Sequence, residues 1–289
     1  VNKPQPLVSV EWVAERIGDP RLRPIHVSLE RKTYDHGHLP GAIFVDLHVD
    51  LAKPGTRPQT GDVERQYLVP TLDETGESLG TWGVAPVDHV VFYDDEGQNR
   101  WAIRGYWLLR LSGFPPERVH VLDGGLMAWT PAGGLTTTDV PTPMRTDGGA
   151  LLAGRDDSLI ATADQVLEWS RDATAPGGPT RLLDVRTADE FLGTDVRARR
   201  GGRIPGARHR LFSDFLAPDG RLRTGPEILA ILEGTGAKPG ELRATYCQGG
   251  VRAALAWFAL HEVAGLTEVR NYAGSWEEWG NRPELPVEK

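Results

Sequence analysis

A chain of 289 residues with 39% apolar and 25% charged residues holds enough apolar material for two cores of ordinary size, and its formal net charge of -8 has the wrong sign for a nucleic-acid coat. The single cysteine excludes an internal disulfide, and no Cys-x-x-Cys or Cys/His cluster offers a zinc or dithiol centre. No run approaches a membrane span and residues 1–10 carry no apolar stretch of signal-peptide length, so the expectation is a cytoplasmic protein whose partners include neither nucleic acid nor membrane.

Taken in chain order, Ser9 is placed to cap an opening helix through Ile17. Short apolar runs at Pro24–Leu29, His89–Tyr93 and Val119–Leu122 then read as buried strands. The stretch 130–157, rich in Gly, Pro and Thr, has no period and reads as a connection between domains. Thr162 is placed to cap a helix through Ser170, and Arg181–Val185, Arg243–Tyr246 and Glu268–Tyr272 read as three further strands. Between the last two lies Val251–Val263, with Val251, Leu255, Phe258 and Ala259 on one helical face. Strands alternating with helices predict an α/β protein with parallel sheets covered by helices on both faces.

The same unit is written twice. Leu79, Gly83, Pro86 and Tyr93 recur at one common spacing as Leu232, Gly236, Pro239 and Tyr246, and the next position pairs Asp94 with Cys247. Leu39-Pro40-Gly41-Ala42 recurs as Ile204-Pro205-Gly206-Ala207, and Gly124 with Trp129 recurs as Gly274 with Trp279. The second copy carries an insertion of about seven residues between Val185 and Ile204. The predicted division is a domain at 1–140 without a cysteine, a linker at 141–157 and a catalytic domain at 158–289.

Cys247 stands in Tyr246-Cys247-Gln248-Gly249-Gly250-Val251-Arg252, at the end of a predicted strand and the start of a predicted helix. Two glycines there can turn successive N–H groups inward, and the helix dipole favours an anion at its start. That pattern points to a thiolate nucleophile, where a cysteine alone reads as a small buried hydrophobe.

With the cysteine loop, the doubled unit and the ending Tyr272-Ala273-Gly274-Ser275-Trp276-Glu277-Glu278-Trp279-Gly280, the chain resembles the tandem-domain rhodanese family of thiosulfate and 3-mercaptopyruvate sulfurtransferases. His38-Leu39-Pro40-Gly41-Ala42, Val121-Leu122-Asp123-Gly124-Gly125, Asp184-Val185-Arg186 and Phe191-Leu192-Gly193-Thr194 extend the likeness over nearly the whole chain. The resemblance implies two similar rhodanese-like domains, of which the first holds an aspartate, here Asp94, in place of the nucleophile. It implies transfer of a sulfane sulfur from a small anionic donor to cyanide or a thiol, through a persulfide on Cys247 and without a cofactor or metal. The N–H groups from Gln248, Gly249, Gly250, Val251 and Arg252 are then expected to hold the anion. Arg186 matches the family arginine that binds donor anions, and the Arg252 guanidinium is expected to pair with a sulfonate or carboxylate.

The loop matches neither subfamily. It lacks the basic residues after the cysteine that mark thiosulfate enzymes, and the serine and threonine of the mercaptopyruvate loop; the second arginine of mercaptopyruvate enzymes falls at Leu192, which leans the reading to thiosulfate. His38 stands where some mercaptopyruvate enzymes place a proton-moving histidine, and a structural role is the simpler reading. Arg197, Arg199, Arg200 and Arg203 in the insertion are placed either to steer anions or to form a solvated basic loop. Two rival functions remain: a phosphatase, disfavoured because Arg252 gives Cys-x4-Arg where those loops have Cys-x5-Arg, and a sulfur-relay module with a protein thiol as partner.

Overall fold

Runs such as Val90, Val91, Phe92 and Tyr93, each without exposed surface, are buried on both faces and form the strands of two parallel sheets in a computed structural model that describes residues 5–55 and 65–289. The chain divides into two units. The first takes residues up to Lys53, Val69–Asp156 and Leu216–Leu222; the second takes Pro54–Leu68, Asp157–Phe215 and Arg223–Lys289.

The first unit holds β1 (Leu7–Val8), α1 (Val10–Ala14), β2 (Leu22–Ser28), α2 (Lys32–His36) and β3 (Ile43–Asp46). Next in the chain come β4 (Lys53–Gly55) and β5 (Arg65–Leu68), a two-stranded sheet whose Pro54–Leu68 part groups with the second unit, and the first unit resumes with α3 (Leu72–Thr81), β6 (His89–Asp94), α4 (Arg100–Leu111), β7 (Val119–Leu122) and α5 (Gly125–Trp129). Its five-stranded sheet runs β1-β7-β6-β2-β3, every pair parallel. Ser9 caps α1 by accepting the Trp12 N–H at 3.3 Å, but the helix ends at Ala14, short of the predicted Ile17. Residues 130–156, read from sequence as a connection, pack in this unit. Side chains added at Gly76 or Gly80 on α3 would meet the backbone of Gly149 at 2.8 Å or of Thr146 at 2.7 Å, so both positions need glycine for close approach. The segment Leu216–Leu222 is tied here by Leu222 N–H donating to Asp123 Oδ1 at 2.9 Å.

The second unit holds α6 (Ala163–Thr174), β8 (Leu182–Asp184), α7 (Ala188–Leu192), β9 (Arg208–His209), α8 (Gly225–Glu233), β10 (Ala244–Tyr246), α9 (Val251–Trp257), β11 (Arg270–Asn271) and α10 (Ser275–Trp279). Thr162 starts α6 with a capping box, Thr162 and Gln165 satisfying each other's backbone N–H groups, and this helix outruns its predicted end at Ser170. The sheet order β11-β10-β8-β9 is all parallel and repeats β7-β6-β2-β3 strand for strand, so the doubling read from sequence is a doubling of topology. Ile160, bridged in parallel to Asn271, stands where the first unit has β1. The predicted helix Val251–Val263 is α9 followed by a π-helical turn, Phe258–Val263. It is buried nearly all round because α9 contacts β10, β11 and the turn Phe212–Phe215, where the sequence period suggested one buried face. The core of this unit gathers Val166, Leu182, Ile204, Ala244, Tyr246, Trp276 and Trp279. Among the described residues no helix is long and apolar enough to cross a membrane.

Candidate active site

Cys247 is the first residue past the carboxyl end of β10, and Gly250 caps α9 with a left-handed φ of 86°. That φ, together with the backbone oxygen of Ala273 only 2.7 Å from where a Cβ would sit, makes glycine necessary at 250. In this conformation the Gly250 N–H donates to Cys247 Sγ at 3.1 Å. Three carbonyl groups of the loop are satisfied by groups other than the sulfur. Cys247 O accepts from Trp276 N at 2.9 Å, Gln248 O from Glu277 N at 2.8 Å, and Gly250 O from Asn271 Nδ2 at 3.2 Å. The Cys247 N–H is taken by Ser275 Oγ at 3.1 Å, and the same hydroxyl lies 4.0 Å from Sγ while donating to Tyr272 O at 2.8 Å. Cys247 is 1% exposed, so its sulfur is enclosed by these groups. An amide aimed at the sulfur and a helix start behind it form an anion-binding cup.

The other predicted residues are placed as follows. Gln248 donates its side-chain amide to Arg197 O at 3.0 Å, tying the loop to the insertion, and Val251 is buried at the first turn of α9. The Cα of Gly249 lies under the ring of Tyr67. Arg252 donates two hydrogen bonds, at 2.7 and 2.8 Å, to the carboxylate of Glu190, itself 1% exposed. Burial pushes Glu190 up, but the hydrogen bonds and charge of Arg252 prevail and hold its carboxyl down at about 2. Burial opposes the charge on Arg252 as well; the Glu190 hydrogen bonds, then the charge at Cys247, drive it above its ordinary value. The guanidinium thus stands within electrostatic reach of the cysteine while its hydrogen-bonding fork is spent on Glu190.

Arg186 is turned into the protein. It is 1% exposed, grips both carboxylate oxygens of Asp184 and the carbonyl of Gly202, and lies over the Trp276 ring at 4.5 Å. Its position after β8 is at the same sheet end as Cys247, but its hydrogen bonds run to the scaffold. Trp276 is buried at 1% and donates its indole N–H to Arg200 O at 3.0 Å. The insertion arginines are largely structural: Arg200 donates to the carbonyls of Trp279, Gly280, Arg282 and Leu285, and Arg203 to Glu288. Arg197 pairs with Asp195 and, at 3.8 Å, with Glu190.

The first unit repeats the frame with a carboxylate in it. Asp94 is the last residue of β6, has no exposed surface, and its Oδ2 accepts the N–H groups of Trp101 and Ala102 at the start of α4. Burial pushes its carboxyl up to about 7, against the Ala102 hydrogen bond and aided by the charge of Glu96. His38 is fully buried in this unit, bonded to the carbonyls of Tyr34 and Asp139 and stacked on Tyr34 at 3.7 Å, a structural role.

Sequence reasoning missed Ser275, Glu190 and Tyr67. For Ser275 a signal existed: its counterpart in the first copy is Gly125, and both take a left-handed φ, 53° and 55°. A serine accepting that backbone where the other copy uses glycine marks a hydroxyl retained for its contacts. Glu190 and Tyr67 carried no local signal. Among the described residues no group of three or more His, Cys, Asp or Glu is placed to hold a metal ion.

The rhodanese-like domain family model matches residues 9–132 and 162–282. The chain is 34% identical to a thiosulfate sulfurtransferase of Corynebacterium glutamicum, over 99% of this chain and 91% of the relative. It is 32% identical to the sulfur carrier protein TtuD of Thermus thermophilus, over 99% and 97%. Among solved structures it is similar to the 3-mercaptopyruvate sulfotransferase SseA of Escherichia coli, with a TM-score of 0.78 and 27% identity over 94% of this chain and 99% of that one. It is also similar to an anaerobic ergothioneine biosynthesis enzyme of Chlorobium limicola, with a TM-score of 0.81 and 28% identity over 98% and 70%.

Proposed function

Because the chain belongs to the rhodanese-like domain family, with the domain present twice, we propose that it is a sulfurtransferase that carries sulfane sulfur on Cys247 and takes it from thiosulfate. The observation that carries this reading is the Gly250 N–H directed at Cys247 Sγ from the cap of α9, in a loop where the carbonyls of Cys247, Gln248 and Gly250 are bound elsewhere. Such a cup stabilises a thiolate before reaction and a persulfide anion after it.

In the first step the Cys247 thiolate attacks the outer sulfur of thiosulfate. A new S–S bond forms, the bond to the sulfonate sulfur breaks, and sulfite leaves with its electron pair. Cyanide or a thiolate then attacks the terminal persulfide sulfur and releases the Cys247 thiolate, so the cycle is a double displacement with ping-pong kinetics. The loop amides of Gln248, Gly249, Gly250, Val251 and Arg252 hold the anion through both steps, and the Arg252 charge faces it. Arg186 serves by holding Trp276 and the Asp184 end of β8 in place. Thiosulfate is favoured over 3-mercaptopyruvate by the relative named a thiosulfate sulfurtransferase and by Leu192, where mercaptopyruvate enzymes carry an arginine. The relative named a sulfur carrier protein favours a second reading, in which the acceptor is a protein thiol and small acceptors turn over poorly.

Intact mass after thiosulfate treatment gives one added sulfur on the wild type and none on Cys247→Ser, with thiocyanate released on adding cyanide and no turnover of a generic aryl phosphate. A parallel series with 3-mercaptopyruvate ranks the donors, and poor cyanide turnover of a readily formed adduct selects the relay. No adduct from either donor refutes the proposal.

A further inference from the structure

The position of Gly249 is unlike that of Gly250. No left-handed φ accounts for glycine there, yet a Cβ built on it would stand 2.3 Å from Cδ2, 2.8 Å from Cγ and 3.1 Å from Cβ of Tyr67. The first two distances are closer than any real contact, so ring and side chain exclude each other. Tyr67 lies on β5, and Pro54–Leu68, although the chain before and after it belongs to the first unit, groups with the unit that holds Cys247. The residue that the ring covers is joined through one peptide bond to the Gly250 N–H that donates to the sulfur. On its other side, Gln248 is held by Glu277 N and by Arg197 O. Every neighbour of the Gly249 peptide is therefore pinned by a hydrogen bond, and the ring of Tyr67 is what bears on Gly249 itself.

We infer that Tyr67 is a positioning residue for the Cys247 loop: its ring fills the space of a side chain at Gly249 and holds the Gly249–Gly250 peptide so that its N–H points at the sulfur. The inference deepens the sulfurtransferase reading and rests on it for its kinetic readout, but the geometric claim is separable. The three nearest atoms are Cδ2, Cγ and Cβ, so the base of the ring carries the contact with Gly249. The side chain at 249 and the ring at 67 form one coupled unit, and the serine of the mercaptopyruvate loop cannot be placed at 249 while the ring remains.

The test is a double-mutant cycle on the full chain, using Tyr67→Phe, Tyr67→Ala, Gly249→Ala and the Tyr67→Ala/Gly249→Ala pair. Two rates are read on each: persulfide formation from thiosulfate, and alkylation of Cys247 by iodoacetamide under native conditions. Displacing a reacting group by about an ångström costs on the order of 100-fold, so Gly249→Ala should lose about that much persulfide rate. Tyr67→Ala should lose about tenfold, and Tyr67→Phe should stay within about twofold of wild type, since phenylalanine keeps the Cβ, Cγ and Cδ2 atoms that meet Gly249. The double variant should recover at least about tenfold over Gly249→Ala, because truncating the ring removes the two shortest contacts. Losses that multiply, with the double variant no faster than Gly249→Ala, overturn the inference, as does a Phe variant as slow as the Ala variant. If Gly249→Ala does not fold, recovery of folded protein in the double variant supports the coupling and failure to recover overturns it. If the wild type forms no persulfide, the functional reading fails while the alkylation rates still decide the coupling.

Discussion

Glu190 is the counter-charge that keeps Arg252 folded against the site, and its removal has a calculable signature. The fall of its carboxyl from an ordinary 4.5 to about 2 corresponds to about 3 kcal/mol of folding stability at 1.36 kcal/mol per pKa unit. Its side chain has no exposed surface, so solvent screening removes little of this. Since the folded value is the depressed one, the contribution is present in full above about pH 4.5 and is lost as pH falls through about 2. Replacing Glu190 by glutamine keeps the shape and one acceptor oxygen, but leaves a guanidinium 13% exposed without its anion. Breaking a buried pair from one side costs about 3–5 kcal/mol, and the retained amide oxygen puts the expected loss at the lower end. Urea unfolding followed by tryptophan fluorescence should therefore show Glu190→Gln about 3 kcal/mol less stable than wild type at pH 7. The gap should narrow as pH falls toward about 2, where the wild-type carboxyl becomes half protonated, and close below it. A variant as stable as wild type at neutral pH, or a gap that persists unchanged into acid, would refute the assignment of Glu190 as the ionised partner.

Three further outcomes follow from the same geometry. Asp94→Asn should flatten the pH dependence of stability: with a folded value raised to about 7 from 3.8, the stability linked to Asp94 is full below about pH 3.8 and lost as pH rises through about 7, so thermal melts should show the variant gaining on wild type between pH 5 and pH 8. Arg200→Ala should cost about 2–3 kcal/mol in denaturant unfolding, through orphaned carbonyls at the carboxyl end, and leave the KM for thiosulfate within about twofold; a KM that rises tenfold at unchanged stability would restore a steering role. Ser275→Gly keeps the left-handed backbone that Gly125 adopts in the other copy and removes the oxygen that accepts the buried Cys247 N–H, so persulfide formation should fall about tenfold and stability by about 1–3 kcal/mol. An unchanged rate would mean that the hydroxyl serves the backbone alone.

The doubled topology, the order of the strands and the strand-to-helix loop at the cysteine were legible in the sequence because they are local: apolar runs buried on both faces, glycines at turns, and a helix start four residues past a cysteine. Boundaries were less so. Helix α1 stops at Ala14 and the Val251–Val263 helix changes to a π turn where packing, not propensity, decides the backbone. The sequence reading placed Arg186 and Arg252 toward an anionic donor because arginine binds anions; Asp184, the partner of Arg186, stands two residues away in the sequence, whereas Glu190 is brought to Arg252 only by folding.

The amino-acid order by itself determined that this chain is one parallel α/β unit repeated, with a cysteine in the second copy where the first has an aspartate. It did so because period, turn chemistry and the spacing of recurrent landmarks are properties of short stretches. Only the tertiary structure decided which groups surround the cysteine loop. Tyr67, Glu190, Asn271 and Ser275 come from distant segments, and whether an amide points at a thiol or a ring displaces a side chain is set by contacts across space that no local pattern encodes.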